Sequence, residues 1–195
     1  ITPPVCPCCG SKTRTYRRTT SDGRTVETLH CDNPQCDSQI TRRFVHFASK
    51  KAMNIEGLSE ATLEKFLNLG YLHSFQDIYH LEEHREDIVA LDGYGEKSFD
   101  RLWESINASR RTSFVRYLGS MDIPKIGRTN SRILDTVFSG NLTAFEQAAV
   151  GDYDFTQLED FGEILNHNIH SWFADEANLD LWKNLQNEFT FEQRK

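Results

Sequence analysis

Apolar and polar positions follow two different periods, and the change lies near residue 42. Residues 13–31 contain two runs rich in Thr, Val, Tyr and Arg, with Asp22 and Gly23 between them. An Asp-Gly pair between β-prone runs favours a type I′ turn, because that turn needs positive φ angles. This stretch therefore predicts a β-hairpin. Beyond residue 42 the pattern is helical, without strand alternation of any length, which predicts a mainly α chain.

Four short turns recur along the helical part, each containing glycine and each followed by an amphipathic helix. The helix after the second turn, for example, carries Phe99, Leu102 and Ile106 at helical spacing. The apolar residues at the centres of the turns stand 36, 32 and 35 positions apart. We number the turns 1 to 4; they are Gly57-Leu58-Ser59, Gly93-Tyr94-Gly95, Lys125-Ile126-Gly127 and Asp160-Phe161-Gly162.

This recurrence is typical of the helix-hairpin-helix motif, in which glycine permits the tight turn between two helices. Two such motifs usually pack as a pseudo-two-fold pair around a shared core, so four copies predict two pairs. We expect motifs 1 and 2 in residues 42–110 and motifs 3 and 4 in residues 111–195.

The turns also predict a binding chemistry. Each would expose backbone N–H groups at the start of its second helix, and these donors attract anions together with the helix dipole. On a nucleic acid such contacts reach backbone phosphates and read no sequence. Turns 2 and 3 fit best, because a basic and a hydroxyl residue follow their final glycine. The candidate DNA-binding residues are Gly57, Gly93, Gly95, Lys97, Ser98, Lys125, Gly127, Arg128 and Thr129.

Turns 1 and 4 are weaker candidates for phosphate. Turn 1 ends on Ser59 and is followed by Glu60, and turn 4 begins with Asp160 and is followed by Glu163. A carboxylate at the start of the helix repels phosphate, so we expect turn 4 to be mainly structural. For the basic residues of turns 2 and 3, the alternative is an ordinary solvated surface charge.

Five cysteines lie in two groups that flank the predicted hairpin. VCPCCGSK (5–12) places three within four positions, and HCDNPQC (30–36) contains Cys31 and Cys36. Four thiolates brought together in this way predict a closed structural zinc site in a module, residues 1–41, that is too small to fold without metal. An iron–sulfur cluster, unligated cysteines and His30 as a replacement ligand remain alternatives. The pattern leaves open which cysteines of the first group bind.

The net charge argues against general nucleic-acid binding, but two segments of the chain are basic. The net charge is −7, but residues 1–51 hold nine Lys and Arg against four Asp and Glu, and residues 91–135 hold eight against six. Basic islands between acidic flanks can still engage phosphate. No stretch is long and apolar enough for a membrane span, and no secretion signal is present, so we expect a reducing cytoplasmic setting. The chain begins with Ile rather than Met, and we expect it to be part of a longer protein.

The order of parts resembles the C-terminal half of a bacterial NAD-dependent DNA ligase, over essentially all 195 residues. The resemblance rests on CPxCG, CxNPxC followed by Gln39, LDGYGEKSFDRLWESINASR and MDIPKIGRTNSRIL. It implies that the zinc ligands are Cys6, Cys9, Cys31 and Cys36 and that the helical motifs grip nicked duplex DNA through minor-groove backbone contacts. The spacing of Cys6 and Cys9 agrees, and we expect Cys8 to be a bystander.

The family also implies what this chain lacks. Its members seal nicks in replication and repair after NAD adenylates a lysine in a K-x-D-G motif, and this sequence has no such motif. We expect the adenylation, OB-fold and BRCT domains, which are the implied partner domains, to lie outside this chain. We therefore expect NAD to bind only in the missing adenylation domain and this chain to be inactive alone. The departures at Ser59 and Asp160 weaken the transfer of DNA contacts to turns 1 and 4.

Two other function classes compete with this interpretation. LDGYGEK also resembles the hairpin of helix-hairpin-helix DNA glycosylases, but these need a carboxylate about two dozen residues later, and none lies between Glu104 and Asp122. A protein–protein interaction scaffold would suit the acidic segment 136–195 with Phe189 and Phe191. Charge reversal at the basic residues of turns 2 and 3 distinguishes DNA binding from the scaffold.

Overall fold

The computed structural model describes residues 4–33 and 36–192, and the chain divides into two compact units, Ile1–Phe44 and Val45–Lys195. In the first unit, β1 (Thr13–Thr19) and β2 (Thr25–Cys31) form an antiparallel hairpin in which Thr13 lies opposite Cys31. α1 (Asp37–Ala48) follows and contributes residues to both units. The predicted hairpin is confirmed.

The turn of this hairpin differs from the predicted type I′ form. The Gly23 N–H donates to the Thr20 carbonyl (2.9 Å) and the Thr20 N–H to the Arg24 carbonyl (2.8 Å), so three residues lie between the last paired positions. Only Gly23, at φ +82°, has a positive φ in this loop. A three-residue loop needs one left-handed residue rather than two, so Asp22 keeps an ordinary backbone conformation.

The second unit is helical, as the periodicity predicts. Its α-helices are α2 (Glu60–Asn68), α3 (Arg85–Val89), α4 (Glu96–Ser109), α5 (Phe114–Ser120), α6 (Arg128–Val137), α7 (Leu142–Val150), α8 (Glu163–Ala174) and α9 (Glu176–Leu185). Three 3₁₀ segments span Phe75–His84, Phe155–Gln157 and Gln186–Glu188. Two-residue strands β3 (Arg111–Thr112) and β4 (Thr190–Phe191) pair in parallel. In the described part of the chain, no helix is long and apolar enough to cross a membrane.

Aromatic side chains build the core that holds turns 3 and 4 in place. Phe145 is fully buried and contacts Phe114, Phe173 and Trp182 at ring distances of 5.5 to 5.8 Å, and Phe173 lies 5.2 Å from Trp182. The Tyr117 hydroxyl donates to the Trp182 carbonyl at 2.7 Å. Each ring buries a large apolar area, and the edge-on contacts add to that burial. These contacts pack four helices against one another, namely α5, α7, α8 and α9.

A charged contact joins the two predicted helical halves within this unit. Arg110 Nη1 lies 2.8 Å from Glu188 Oε2, and Arg110 Nη2 donates to the Tyr79 carbonyl at 2.7 Å. His80 Nε2 lies 2.8 Å from the other Glu188 oxygen. Partial burial raises the pKa of Glu188, but the hydrogen bonds from His80 and Arg110 outweigh it, and the net pKa is lowered. The finer domain division at residue 110 stays a prediction.

Candidate metal centre and candidate nucleic-acid interface

Four cysteine sulfurs converge at one end of the β-hairpin. The Sγ atoms of Cys6, Cys9, Cys31 and Cys36 all lie within 4.8 Å of one another. Cys6 and Cys36 are 3.8 Å apart, and Cys9 and Cys31 are 3.5 Å apart. A tetrahedral ion with Zn–S bonds of about 2.3 Å needs sulfur–sulfur edges of about 3.8 Å. The spacing therefore fits a four-coordinate metal, and all four sulfur positions match the set that the resemblance implies.

Local backbone bonds shape each cysteine pair. The Gly10 N–H donates to the Cys6 carbonyl and the Cys6 N–H to the Ser11 carbonyl, both at 2.8 Å. Gly10 has φ +74°, which glycine adopts without strain and which lets the chain turn back after Cys9. The Asn33 side chain donates to Ser11 Oγ at 3.1 Å and thereby ties the second group to the first.

The thiols affect one another's ionisation. Hydrogen bonds from the Ser11 side chain and backbone lower the pKa of Cys9 to about 6. At Cys31 the Asn33 backbone N–H lowers the pKa, but burial and the neighbouring thiols together raise it to about 12. Burial also raises the pKa of Cys36. Without a cation the crowded sulfurs resist simultaneous ionisation, whereas a bound metal stabilises all four thiolates.

The fifth cysteine stands apart from this group. Cys8 Sγ lies 2.9 Å from Ser38 Oγ, and Cys8 is not a member of the four-sulfur cluster. Gln39, which the resemblance singles out, donates from its side chain to the Cys31 carbonyl. Its amide therefore supports the backbone of a ligand residue rather than the metal.

All four predicted turns share one backbone geometry. The first residue of each turn has a positive φ: +92° at Gly57, +82° at Gly93, +66° at Lys125 and +64° at Asp160. The third residue is in every case the N-cap of the following helix. In turns 2 to 4 the central N–H donates to the carbonyl three residues earlier, at 3.0 to 3.1 Å. Lys125 and Asp160 thus occupy a conformation that normally favours glycine.

Turn 1 differs from the others because its donors are used inside the protein. The Ser59 hydroxyl accepts from the Thr62 N–H (3.3 Å) and so caps α2. The Glu56 N–H donates to Ser105 Oγ on α4 at 2.8 Å. A Cβ on Gly57 would lie 3.3 Å from Leu102 Cδ1, so this turn packs closely against α4.

Turns 2, 3 and 4 leave their helix starts open. Gly95, Gly127 and Gly162 are N-caps without a side chain, so no N-cap oxygen accepts from the first-turn N–H groups. Ser98 Oγ instead accepts from the Gly95 N–H at 3.0 Å. Of the nine candidate DNA-binding residues, Gly95 is half-buried and the remaining eight are exposed. Lys97 and Arg128 therefore stand in solvent beside the open ends of α4 and α6.

No family model matches the chain. Bacterial proteins named DNA ligase are similar to nearly all of it. The protein of Ruminiclostridium cellulolyticum is 35% identical over 191 residues, which are 98% of this chain and 28% of that relative. The protein of Lachnoclostridium phytofermentans is 33% identical over 193 residues, 99% of this chain and 28% of the relative. This chain is homologous to a segment of the DNA ligases.

A DNA ligase from a third bacterium is similar to this chain as well. The DNA ligase of Pseudomonas putida is 32% identical over 201 aligned residues, covering 95% of this chain and 25% of the relative. The chain thus spans about a quarter of the length of the ligases it matches. The matches to the first two relatives, at 98% and 99% of this chain, include both the four-cysteine cluster and the helical turns.

Proposed function

We propose that this chain is the non-catalytic zinc-binding and DNA-binding portion of an NAD-dependent DNA ligase. It binds nicked duplex DNA through backbone phosphates without sequence specificity. The observation that carries this proposal is the pair of open helix starts at turns 2 and 3, each with an exposed Lys or Arg in its first turn. The similarity to proteins named DNA ligase supports it.

The physical reason lies in the ends of α4 and α6. The first N–H groups of a helix lack partners within the helix, and a glycine N-cap adds no competing side-chain oxygen. A phosphate oxygen can accept from these donors and gains from the helix dipole. Arg128 adds positive charge at the start of α6, and Lys97 offsets the Glu96 carboxylate in the first turn of α4. Thr129 adds a hydroxyl, whereas the Ser98 hydroxyl donates to the Gly95 carbonyl at 3.3 Å. None of these contacts reads a base, so binding is independent of sequence.

The cysteine cluster serves the fold in this proposal. Cys6, Cys9, Cys31 and Cys36 hold a structural zinc ion, which supplies folding energy to a unit whose hairpin is exposed on both faces. Four protein ligands leave no position for water, so the metal has no catalytic role.

The rest of the reaction belongs to other parts of a full-length ligase. An adenylation domain takes AMP from NAD, and the present chain holds the nicked duplex for it together with OB-fold and BRCT domains. In this role the protein acts in DNA replication and repair in the bacterial cytoplasm. A K-x-D-G lysine is absent from the sequence, in keeping with a binding role.

Fluorescence anisotropy with a labelled nicked duplex at two salt concentrations tests the proposal. We expect weak binding whose log K falls linearly with log salt. Lys97→Glu and Arg128→Glu should each weaken it, whereas Lys183→Glu, an exposed control on α9, should not. Absence of binding at low salt would refute the DNA-binding proposal, and equal losses in all three variants would point to net charge alone.

A further inference from the structure

A basic groove lies beside turn 3, formed by the end of α1 with the loop after it, by α5 and by the start of α6. Its volume is about 380 Å³. Three cations, Lys51, Arg116 and Arg128, line it, and none of its lining residues is an Asp or Glu. The lining residues are His46, Lys51, Val115, Arg116, Gly119, Ile126, Gly127 and Arg128.

Arg116 is held in place from one side. Its Nη1 donates to the Ala52 carbonyl at 2.8 Å, and among the described residues no carboxylate pairs with it. An arginine side chain that is held by a hydrogen bond from one of its N–H groups keeps its other N–H groups for an incoming anion. It also loses little side-chain entropy on binding. Arg116 also lines a second cleft of about 800 Å³, whose charged lining residues are Arg101, Arg111, Glu56 and Glu104 besides Arg116 itself. It therefore lies between the groove at turn 3 and the α4 surface at turn 2.

The floor of the groove is fixed by close backbone contacts. A Cβ on Gly119 would lie 3.7 Å from the Lys51 carbonyl oxygen, so the loop after α1 runs directly past α5. His46 Nε2 lies 2.7 Å from the Gly119 carbonyl oxygen. Asp122, the carboxylate next to this histidine, is 3.9 Å from Nε2 and is not a lining residue. Lys51 and Arg116 thus lie on two segments whose backbones are in close contact.

We propose that Lys51 and Arg116 bind phosphates of the DNA backbone and join the phosphate contacts of turn 3 to those of turn 2. This inference rests on the proposed DNA binding. The ligand is a phosphodiester because the groove offers positive charge and N–H donors from three separate elements over a partly apolar floor. The start of α6 adds backbone N–H groups that no N-cap side chain at Gly127 occupies. Neither residue belongs to a turn motif, so the repeats alone do not indicate them.

The salt dependence of binding to a nicked duplex tests this directly. Each phosphate contact contributes about 0.9 to the slope of log K against log salt. Lys51→Gln and Arg116→Gln should each lower that slope by about 0.9 and weaken binding equally for unrelated DNA sequences. Lys183→Gln provides an exposed basic control outside the groove, and circular dichroism checks that each variant folds.

The outcomes separate the two proposals. If the unmodified chain does not bind DNA, the proposed function fails. If it binds, but Lys51→Gln and Arg116→Gln keep its slope and affinity, the groove does not contact phosphate and this inference is overturned. Arg116 also supports the Ala52 carbonyl, so Lys51→Gln, whose side chain has no such bond in the described structure, is decisive if Arg116→Gln misfolds.

Discussion

Lys125 has a left-handed backbone conformation that lowers the stability of the fold. Replacing Lys125 and Asp160 by glycine, each in turn, tests this. Both residues take the first position of their turn at positive φ, +66° and +64°. For a side chain other than glycine the left-handed region costs roughly 1–2 kcal/mol. Glycine is freer in the unfolded chain and loses about 0.5–1 kcal/mol more on folding. Lys125→Gly should therefore stabilise the fold by about 0–1.5 kcal/mol.

Asp160→Gly should stabilise it less, because Asp tolerates the left-handed region better than Lys does. For a chain of this size, 1 kcal/mol shifts the melting temperature by about 2–4 °C, which thermal unfolding with zinc present resolves. The salt dependence of DNA binding should also distinguish the two variants. If Lys125 contacts a phosphate as we propose, Lys125→Gly should lower the salt slope by about 0.9, whereas Asp160→Gly should leave the slope unchanged.

Two results would refute this reasoning separately. A lower melting temperature for Lys125→Gly would mean that its backbone is not strained and that the side chain stabilises the turn. An unchanged salt slope for the same variant would mean that Lys125 holds its conformation without touching DNA.

Three further predictions concern the metal site, the charged contact and turn 1. Cys9→Ser should abolish zinc binding in a chelator-competition assay, whereas Cys8→Ser should retain it; equal loss in both would place Cys8 among the ligands. Glu188→Gln should lower the free energy of unfolding at neutral pH by about 1–3 kcal/mol, because Arg110 loses its charged partner. The lowered pKa of Glu188 means that its contribution is present above its ordinary pKa of 4.5 and is lost as pH falls through the lower folded value. The variant and the unmodified chain should thus converge in urea titrations below about pH 4.5, and a gap that widens there would contradict the sign. Gly57→Ala should destabilise the chain by roughly 1–2 kcal/mol through its φ of +92°, with Leu102 forced to yield as well; unchanged thermal unfolding would disprove that packing.

The repeats show how far local pattern reaches. Glycine and its replacements recur at fixed places, and the structure has the same turn at all four, even where Lys125 and Asp160 stand in for glycine. The turns observed in the structure agree with the turns predicted from the sequence because both depend on the spacing of apolar residues and on the residues of the turn itself, which are local properties. The hairpin was likewise predictable, but its loop type was not, since the Thr20 N–H bonds to the Arg24 carbonyl and leaves three residues in the loop rather than two.

Other features depend on residues far apart in the chain. Strands β3 and β4 are two residues each and meet across almost eighty positions, so no alternation indicates them. Turn 1 was a weaker phosphate candidate by its sequence, since Ser59 and Glu60 follow its glycine. Its packing adds a second reason, because the Glu56 N–H donates to Ser105 and the Ser59 hydroxyl caps the start of α2. Which donors remain open is therefore a property of packing.

The amino-acid sequence by itself determined the helical character, the four turns, the hairpin and the two cysteine groups that flank it. Each depends on a short period, a turn residue or a spacing, and these act over a few positions. Only the tertiary structure decided which helix starts stay open and that Lys51, Arg116 and Arg128 line one groove. Those outcomes depend on how separate helices pack around the aromatic core, where contacts between distant residues replace local rules.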